Sequence, residues 1–395
     1  PFLGRLVSPR QPQRHAEISR QFTLRGIGGT NMNAVRLLSG GEYILLKNAT
    51  LECWNIQQAR LVWSHETNGP DPWLMQFGAE VVDGGDSVNI IICEGRTSGV
   101  DGQRGSLIQI VNLNLHTGIS TSLLADLYPD ATSEDFGIME AKFCGNLACL
   151  IWVFLTRSDG TGPQNYCILM DWQTRSRLKL APNPLTSPIS VNLIPNHVLL
   201  MTNDGLSGIP EISLINMAPL SPHWRHTTDD STLDTVHPSE LEAIVHESIT
   251  SCPPESRGRK RELCAYESPL EEGTYRICYL QLFTANLDRH QVIGSYSLSL
   301  PNGLQDGATL RQRSVQITDH TGDSVKLGRG VSYSGHNLPR HYGPQNFHSI
   351  SHPGNPHQTV VLDLPEATPR RIHISVYTGG LTYSSDDSVI VTYFK

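Results

Sequence analysis

The feature that most constrains this chain is a unit of short apolar strands that recurs along nearly its whole length. Its clearest copy begins at Ala34-Val35-Arg36-Leu37-Leu38, turns at Gly40-Gly41, and continues through Tyr43-Ile44-Leu45-Leu46. After Lys47-Asn48-Ala49-Thr50 it resumes as Leu51-Glu52-Cys53-Trp54-Asn55-Ile56 and ends with Arg60-Leu61-Val62-Trp63. Pieces this short fit strands and not helices. In Leu51 to Ile56 apolar residues recur largely at every second place, so a pleated strand there turns one face into a core.

The third strand of the unit has a recognisable ending: an apolar residue, then Asn or Asp, then an apolar residue. It reads Trp54-Asn55-Ile56, Val111-Asn112-Leu113, Met170-Asp171-Trp172, Ile215-Asn216-Met217 and Leu362-Asp363-Leu364. The first four copies are spaced 57, 59 and 45 residues apart, a variation expected if insertions fall in loops. A short polar side chain at a strand end bonds backbone two residues on and starts the next turn. A degenerate copy around Tyr275 to Phe283 fills the gap before Leu362. The pattern predicts units at about 32–66, 75–125, 133–182, 186–228, 240–300 and 305–366, with 370–395 starting a seventh.

The expected fold is therefore all-β, a WD40-like β-propeller of seven blades in preference to six. Gln21-Phe22-Thr23-Leu24-Arg25 is placed to complete the short last blade, so that strands from both termini seal the ring and leave no open edges. Residues 1–20, rich in Pro, Arg and Gln, read as an arm or linker, and 21–395 as a single domain. Two stretches resist the scheme. Pro238-Ser239-Glu240-Leu241-Glu242 has the Ser-x-x-Glu spacing of a capping box, so either a short helix or a strand from Ala243 to Ile249 precedes the fifth unit. Residues 336–357 read as a long polar surface loop.

Composition agrees with many short strands: 34 Gly and 25 Pro punctuate the chain, and only 17% of residues are charged. A net charge of −8 argues against a phosphate-binding surface, so nucleic acid is not an expected partner. The one compact basic run, Arg257-Gly258-Arg259-Lys260-Arg261, is read as a solvated loop before a nuclear-localisation patch. Eight scattered cysteines without a CxxC pair, several inside apolar runs such as Ile90-Ile91-Ile92-Cys93, read as buried free thiols in a reducing compartment. Neither a spanning apolar stretch nor a signal-peptide pattern is visible, so no membrane contact is expected, and a cytoplasmic or nuclear location is. Because residue 1 is Pro, the chain reads as a processed or truncated piece of a longer protein.

No catalytic, cofactor or metal site emerges from the candidate chemistry. His336, His341, His348, His352 and His357 are the densest histidine group, and His348 and His352 have the spacing for one metal on a helix. Pro353, Gly354 and Pro356 oppose that helix. Gly330-Val331-Ser332-Tyr333-Ser334 lacks the final Gly of a nucleophile turn, which leaves Ser332 an ordinary strand residue. A propeller glycosidase would need carboxylates converging in a central funnel; Asp83, Asp86, Asp135, Asp171 and Asp363 are available, but most sit where turn chemistry explains them. Gly26-Ile27-Gly28-Gly29 lacks the Lys-Ser/Thr of a phosphate loop, and Asn48-Ala49-Thr50 is a chance sequon in a turn. Trp54 and Trp152 are read as core, and Trp73, between Pro72 and Leu74, as packed by default, with an exposed contact as the alternative.

Arg36-Leu37-Leu38-Ser39-Gly40-Gly41-Glu42-Tyr43-Ile44-Leu45-Leu46, followed by Thr50-Leu51-Glu52-Cys53-Trp54-Asn55, resembles the first blade of the F-box proteins of mushroom-forming fungi. The tail Tyr377 to Ser385 and Val389 to Phe394 is similar to that family's chain end. The resemblance implies that a separate F-box docks a ubiquitin-ligase adaptor while the propeller captures a protein substrate. No Leu-Pro-x-Glu motif precedes the strands, so the docking half is expected to be missing from this chain. The expected function is thus a non-enzymatic, protein-binding substrate receptor without cofactor. The alternatives are a WD-like scaffold with no ubiquitin link and a propeller hydrolase.

Overall fold

The computed structural model describes residues 14–27, 35–47, 50–67, 73–97, 104–129, 136–154, 164–181, 190–203, 209–226, 235–249, 260–268, 271–285, 288–300, 307–319, 324–328, 331–337, 346–352, 355–364, 372–375, 380–384 and 388–394. The chain is all-β, and the helical pieces among the described residues are 3-10 turns such as Asp83–Gly85 and Ala218–His223. The strands among the described residues form seven sheets, each built on an antiparallel up-and-down run of four.

The first sheet holds Val35–Leu37, Tyr43–Lys47, Leu51–Asn55 and Arg60–His65. The second holds Trp73–Val82, Ser87–Thr97, Arg104–Asn114 and Ser120–Pro129. The third holds Phe136–Cys144, Leu147–Phe154, Gln164–Asp171 and Ser176–Leu180. The fourth holds Ser190–Ile194, His197–Asn203, Pro210–Asn216 and Ala243–Ser248. The fifth holds Lys260–Glu267, Thr274–Ala285, Asp288–Ser299 and Thr309–Asp319. The sixth holds Ser324–Gly328, Val331–Asn337, Asn346–His352 and Asn355–Leu362. In the seventh, Ile372–Ile374, Leu381–Ser384 and Ser388–Phe394 are joined by Ile18–Arg25 from the start of the chain.

Why the second strands are continuous apolar runs follows from the packing. In the second sheet Ile90 and Ile92 face the first sheet, against Leu45 and Cys53, while Ile91 and Cys93 face the third, against Ile138 and Trp152. Leu199 and Met201 of the fourth sheet likewise turn toward Tyr275 and Ile277 of the fifth, and Val198 and Leu200 toward Cys149 and Leu169 of the third. A strand buried on both faces has no polar face to show. The packing continues from fifth to sixth through Lys260–Glu267 and Ser324–Gly328, and from sixth to seventh through Leu362, Ile372 and Leu381. Leu24, Val389 and Val391 of the seventh then meet Leu37, Ile44 and Leu46 of the first.

Several expected boundaries move. The fourth unit does not end near 228: its last strand, Ala243–Ser248, follows an excursion whose short strands Arg225–His226 and Thr235–Val236 add to the outer edge of the third sheet. Leu220 and Val236 of that excursion are buried in the core shared by third and fourth sheets, which explains why it leaves its own sheet. The fifth unit therefore starts at Lys260 and not at 240, and Tyr275 to Phe283 lie in its second strand, not its third. At the capping-box stretch both alternatives occur in part: a single 3-10 turn at Pro238–Glu240, where Glu240 accepts from His237 N at 3.5 Å, is followed by the strand Ala243–Ser248. Residues 336–357 are not all loop, since Asn346–His352 and the start of Asn355–Leu362 are paired strands. The region read as an arm is also partly strand: Arg14–His15 pairs in parallel with Val360 and Val361, and the closing strand begins at Ile18.

Three of the five polar strand endings make the expected turns, one shifts register, and Leu362-Asp363-Leu364 follows the fourth strand of the sixth sheet, Asn355–Leu362, and not a third strand. Asn55 Oδ1 accepts from Gln58 N, Asp171 Oδ1 from Gln173 N and Thr174 N, and Asn216 Oδ1 from Ala218 N. In the second sheet Asn112 lies inside the strand, bonded to Asn89 Oδ1 at 2.8 Å, and Asn114 makes the turn, accepting from His116 N, Thr117 N and Thr117 Oγ1.

Candidate functional site

The first strands of six sheets, the first to the fifth and the seventh, line one cavity of about 420 Å³. Charged side chains on it are Arg36, Glu80, Glu140, Lys142, Glu262 and Glu267, an excess of carboxylates over cations. Their positions follow from the pleat. Ala141 and Phe143 both turn into the core shared with the second sheet, so Lys142 between them points the opposite way, toward the fourth sheet and the cavity.

Lys142 is the centre of the wall. Its ammonium donates to Val191 O at 2.5 Å and Leu263 O at 3.2 Å and sits 3.1 Å from Glu140 Oε1, so one side chain of the third sheet ties down the fourth and fifth. Asn192 Nδ2 donates to the same Leu263 carbonyl at 3.3 Å. Although burial is the largest influence and works to lower it, the pKa of Lys142 is net raised by Glu140 and by nearby thiols. Near the other end of these strands Glu80 Oε2 accepts from Gly145 N at 2.7 Å. Burial raises the Glu80 pKa, against the opposing pull of that N–H and of Arg36. Burial, with Glu80 and Glu267 adding to it, pushes the Cys144 thiol up to about 12; burial, with Glu267 and Cys144, does the same to the Tyr275 phenol.

Most of these polar groups bond the wall itself. Such contacts hold neighbouring sheets in register.

No protein-family model matches the chain, and no curated protein matches it. Among solved structures it is similar to the WD40 domain of SCAP from fission yeast, with 10% identity over 92% of this chain and 81% of that one and a TM-score of 0.47. The β-propeller domain of Myceliophteria thermophila Cps50 (Swd1) has 10% identity over 96% and 99% of the two chains, TM-score 0.46. An alpha-L-arabinanase of Penicillium chrysogenum complexed with arabinobiose has 9% identity over 81% and 92%, TM-score 0.38.

Asp83, Asp86, Asp171 and Asp363, the described aspartates singled out from sequence, do not line the cavity. Asp83 and Asp86 flank a 3-10 turn, where Asp83 bonds Ser87 and Asp86 pairs with His116; Asp171 makes its turn, and Asp363 is exposed beyond a strand end. Asp135, His341, Asn48, Gly28, Gly29, Cys252 and the basic run up to Arg259 lie outside the described residues. His348 and His352 stand on a strand, where four residues span about 13 Å, too far for one tetrahedral metal. Ser332 is a strand residue paired with Leu327 and Ser351. Among the described residues no group of three potential ligands has metal-binding placement.

Trp152 is core, stacked on Tyr166 with ring centroids 6.0 Å apart, whereas Trp54 is half-buried and donates to Glu52. Sequence reasoning missed Glu80, Lys142, Glu262 and Glu267. Their signal was a charge interrupting an apolar run in the first strand of a unit, as in Phe77-Gly78-Ala79-Glu80-Val81. It also missed a row on the outer half of the fourth sheet, where His246 Nδ1 lies 2.9 Å from Ser213 Oγ and Nε2 lies 3.4 Å from Glu211. Ser213 and His246 are directly opposed strand residues, the setting of ordinary cross-strand polar pairs.

Proposed function

We propose that the seven sheets are blades of one closed β-propeller, with Ile18–Arg25 as the last strand of the last blade, and that this propeller is a protein-binding platform and not an enzyme. The observation that carries the reading is the mixed origin of the seventh sheet, whose three late strands accept a strand from the start of the chain. A linear array of sheets has no use for such a strand, whereas a ring needs it to cover its last edge. The binding reading is supported by the cavity: Lys142, Glu140, Asn192 and Glu80 are held by the wall and by one another, an arrangement suited to a rigid scaffold.

The proposed biological role is substrate recognition in an F-box type ubiquitin ligase working in cytoplasm or nucleus, on the family resemblance of the first unit and the chain end. Its test is immunoprecipitation of the full-length gene product. Recovery of the ubiquitin-ligase adaptor through a segment outside this chain is the expected result. If the adaptor is not recovered, the ligase role falls, and a WD-like interaction scaffold takes its place. One observation favours a hydrolase as the second reading: Glu80, Glu262 and Glu267 share the cavity wall. That reading requires glycosidase activity that is lost in Glu80→Gln or Glu267→Gln.

A further inference from the structure

Cys149 and Cys167 lie on the adjacent strands Leu147–Phe154 and Gln164–Asp171 of the third sheet, with sulfurs 3.1 Å apart. Both are free and fully buried. Cys149 is opposite Leu169 and Cys167 opposite Ile151, so the two cysteines are diagonal neighbours on one face, the face packed against the fourth sheet. Two sulfur atoms in ordinary contact stand further apart than this; a bonded pair stands about 2.0 Å apart. Diagonal cross-strand neighbours have Cα atoms about 7–8 Å apart and a disulfide takes less than about 7 Å, so closure needs the two strands to draw slightly together as well as side-chain torsion, with no change of register.

We propose that Cys149 and Cys167 form a reversible dithiol–disulfide pair, closed by a hydroperoxide. One thiol, as thiolate, attacks a peroxide oxygen; the O–O bond breaks, water or an alcohol leaves, and a sulfenic acid remains. The second thiol attacks that sulfur, the S–O bond breaks, and the hydroxyl departs as water with the remaining proton. Two thiols and one peroxide thus give one disulfide, one water and one water or alcohol, with two electrons passed to the peroxide. A small dithiol such as dithiothreitol reverses the change by exchange.

The surroundings bear on the rate. The buried Lys142 ammonium, which lines the cavity, is within electrostatic reach of Cys149, Cys167 and Cys264, and a cation there favours thiolate. Burial, and then the neighbouring Cys149, push the Cys167 thiol well above its ordinary value, so closure is slow at neutral pH and accelerates in mild alkali. The bond would close a loop between residues 18 apart and fix two core strands beside the cavity wall.

The test treats the folded chain with hydrogen peroxide, blocks remaining thiols after unfolding, and maps peptides without reduction. The expected product is a cross-linked pair carrying Cys149 and Cys167, two hydrogens lighter than the reduced peptides, formed faster at pH 9 than at pH 7 and removed by dithiothreitol. Cys149→Ser and Cys167→Ser each abolish it, and Cys264→Ser leaves it in place. If either serine variant fails to fold, the wild-type map alone decides. Recovery of both cysteines singly alkylated, under doses that oxidise methionines, overturns the proposal; so does a cross-link that pairs either one with a different cysteine.

Discussion

The hydroxyl of Tyr393 donates a 2.6 Å hydrogen bond to the carbonyl oxygen of Gly41, joining residues 352 positions apart. Tyr393 belongs to the seventh sheet and Gly41 to the first turn of the first, so the bond fastens the two ends of the strand series to each other. The ring of Tyr393 also meets Phe22 edge-on at 6.3 Å, which brings the N-terminal strand into the same clasp. Tyr393→Phe is expected to cost about 1 kcal/mol, the worth of one half-buried hydrogen bond. Gly41 has a φ of +75° and a Cβ there would come 2.8 Å from the Tyr393 hydroxyl, so Gly41→Ala is expected to cost about 1–2 kcal/mol. Urea denaturation of both and of the double variant gives the check: the two losses should add to less than their sum, since the second change acts on a bond already gone.

Gly78 marks a close approach of the first strands of the second and third sheets. A Cβ there would stand 2.6 Å from the backbone oxygen of Ala141 and 3.0 Å from Ile91 Cγ2. Backbone cannot move aside as a side chain can, so Gly78→Ala is expected to push the second and third sheets apart and cost about 1–3 kcal/mol. A denaturation midpoint equal to that of the wild type would show that these strands tolerate the separation.

Much of this architecture was legible because strand, turn and pleat are local. Leu51–Asn55 announces itself by alternation, and Asn55, Asp171 and Asn216 announce the turns they make by their chemistry. Asn112 was misplaced for a physical reason: Val111-Asn112-Leu113 has the same apolar-polar-apolar form as a strand ending, and only the length of the strand shows that Asn114 is the turn residue. The excursion of 217–242 to the edge of the third sheet was not legible, because its strands of two residues carry no period and its partner is distant in sequence. The cavity charges were overlooked for a related reason. Glu80 and Lys142 interrupt apolar strands, and only the convergence of first strands from different sheets gives them a common wall.

Lys142 offers a direct measure of how far that wall depends on one side chain. Lys142→Met leaves the carbonyls of Val191 and Leu263 without their charged donor and is expected to cost on the order of 2–3 kcal/mol. Glu140→Gln should cost less than about 1 kcal/mol, because its side chain is 43% exposed and water replaces the ion pair. Equal losses in the two variants, read from guanidinium unfolding, would place the stabilisation in the ion pair and not in the bonds that span three sheets.

Glu80 should give stability a dependence on pH of unusual sign for a carboxylate. Its folded pKa is raised above the ordinary 4.5, chiefly by burial, with the Gly145 N–H and Arg36 opposing. From about 4.5 upward to that raised value, the folded chain keeps a proton that the unfolded chain has released. The native state therefore binds more protons in this window, and the contribution of Glu80 to stability falls as pH rises through it and is constant above. Glu80→Gln retains an oxygen that can accept from Gly145 N but has no charge to bury. Relative to wild type, the variant is expected to gain stability progressively as pH rises across the window and to hold that gain at pH 7. Urea midpoints of both chains between pH 4 and pH 8 make the comparison, and profiles that run parallel throughout would mean that the carboxyl ionises alike in the folded and unfolded chain.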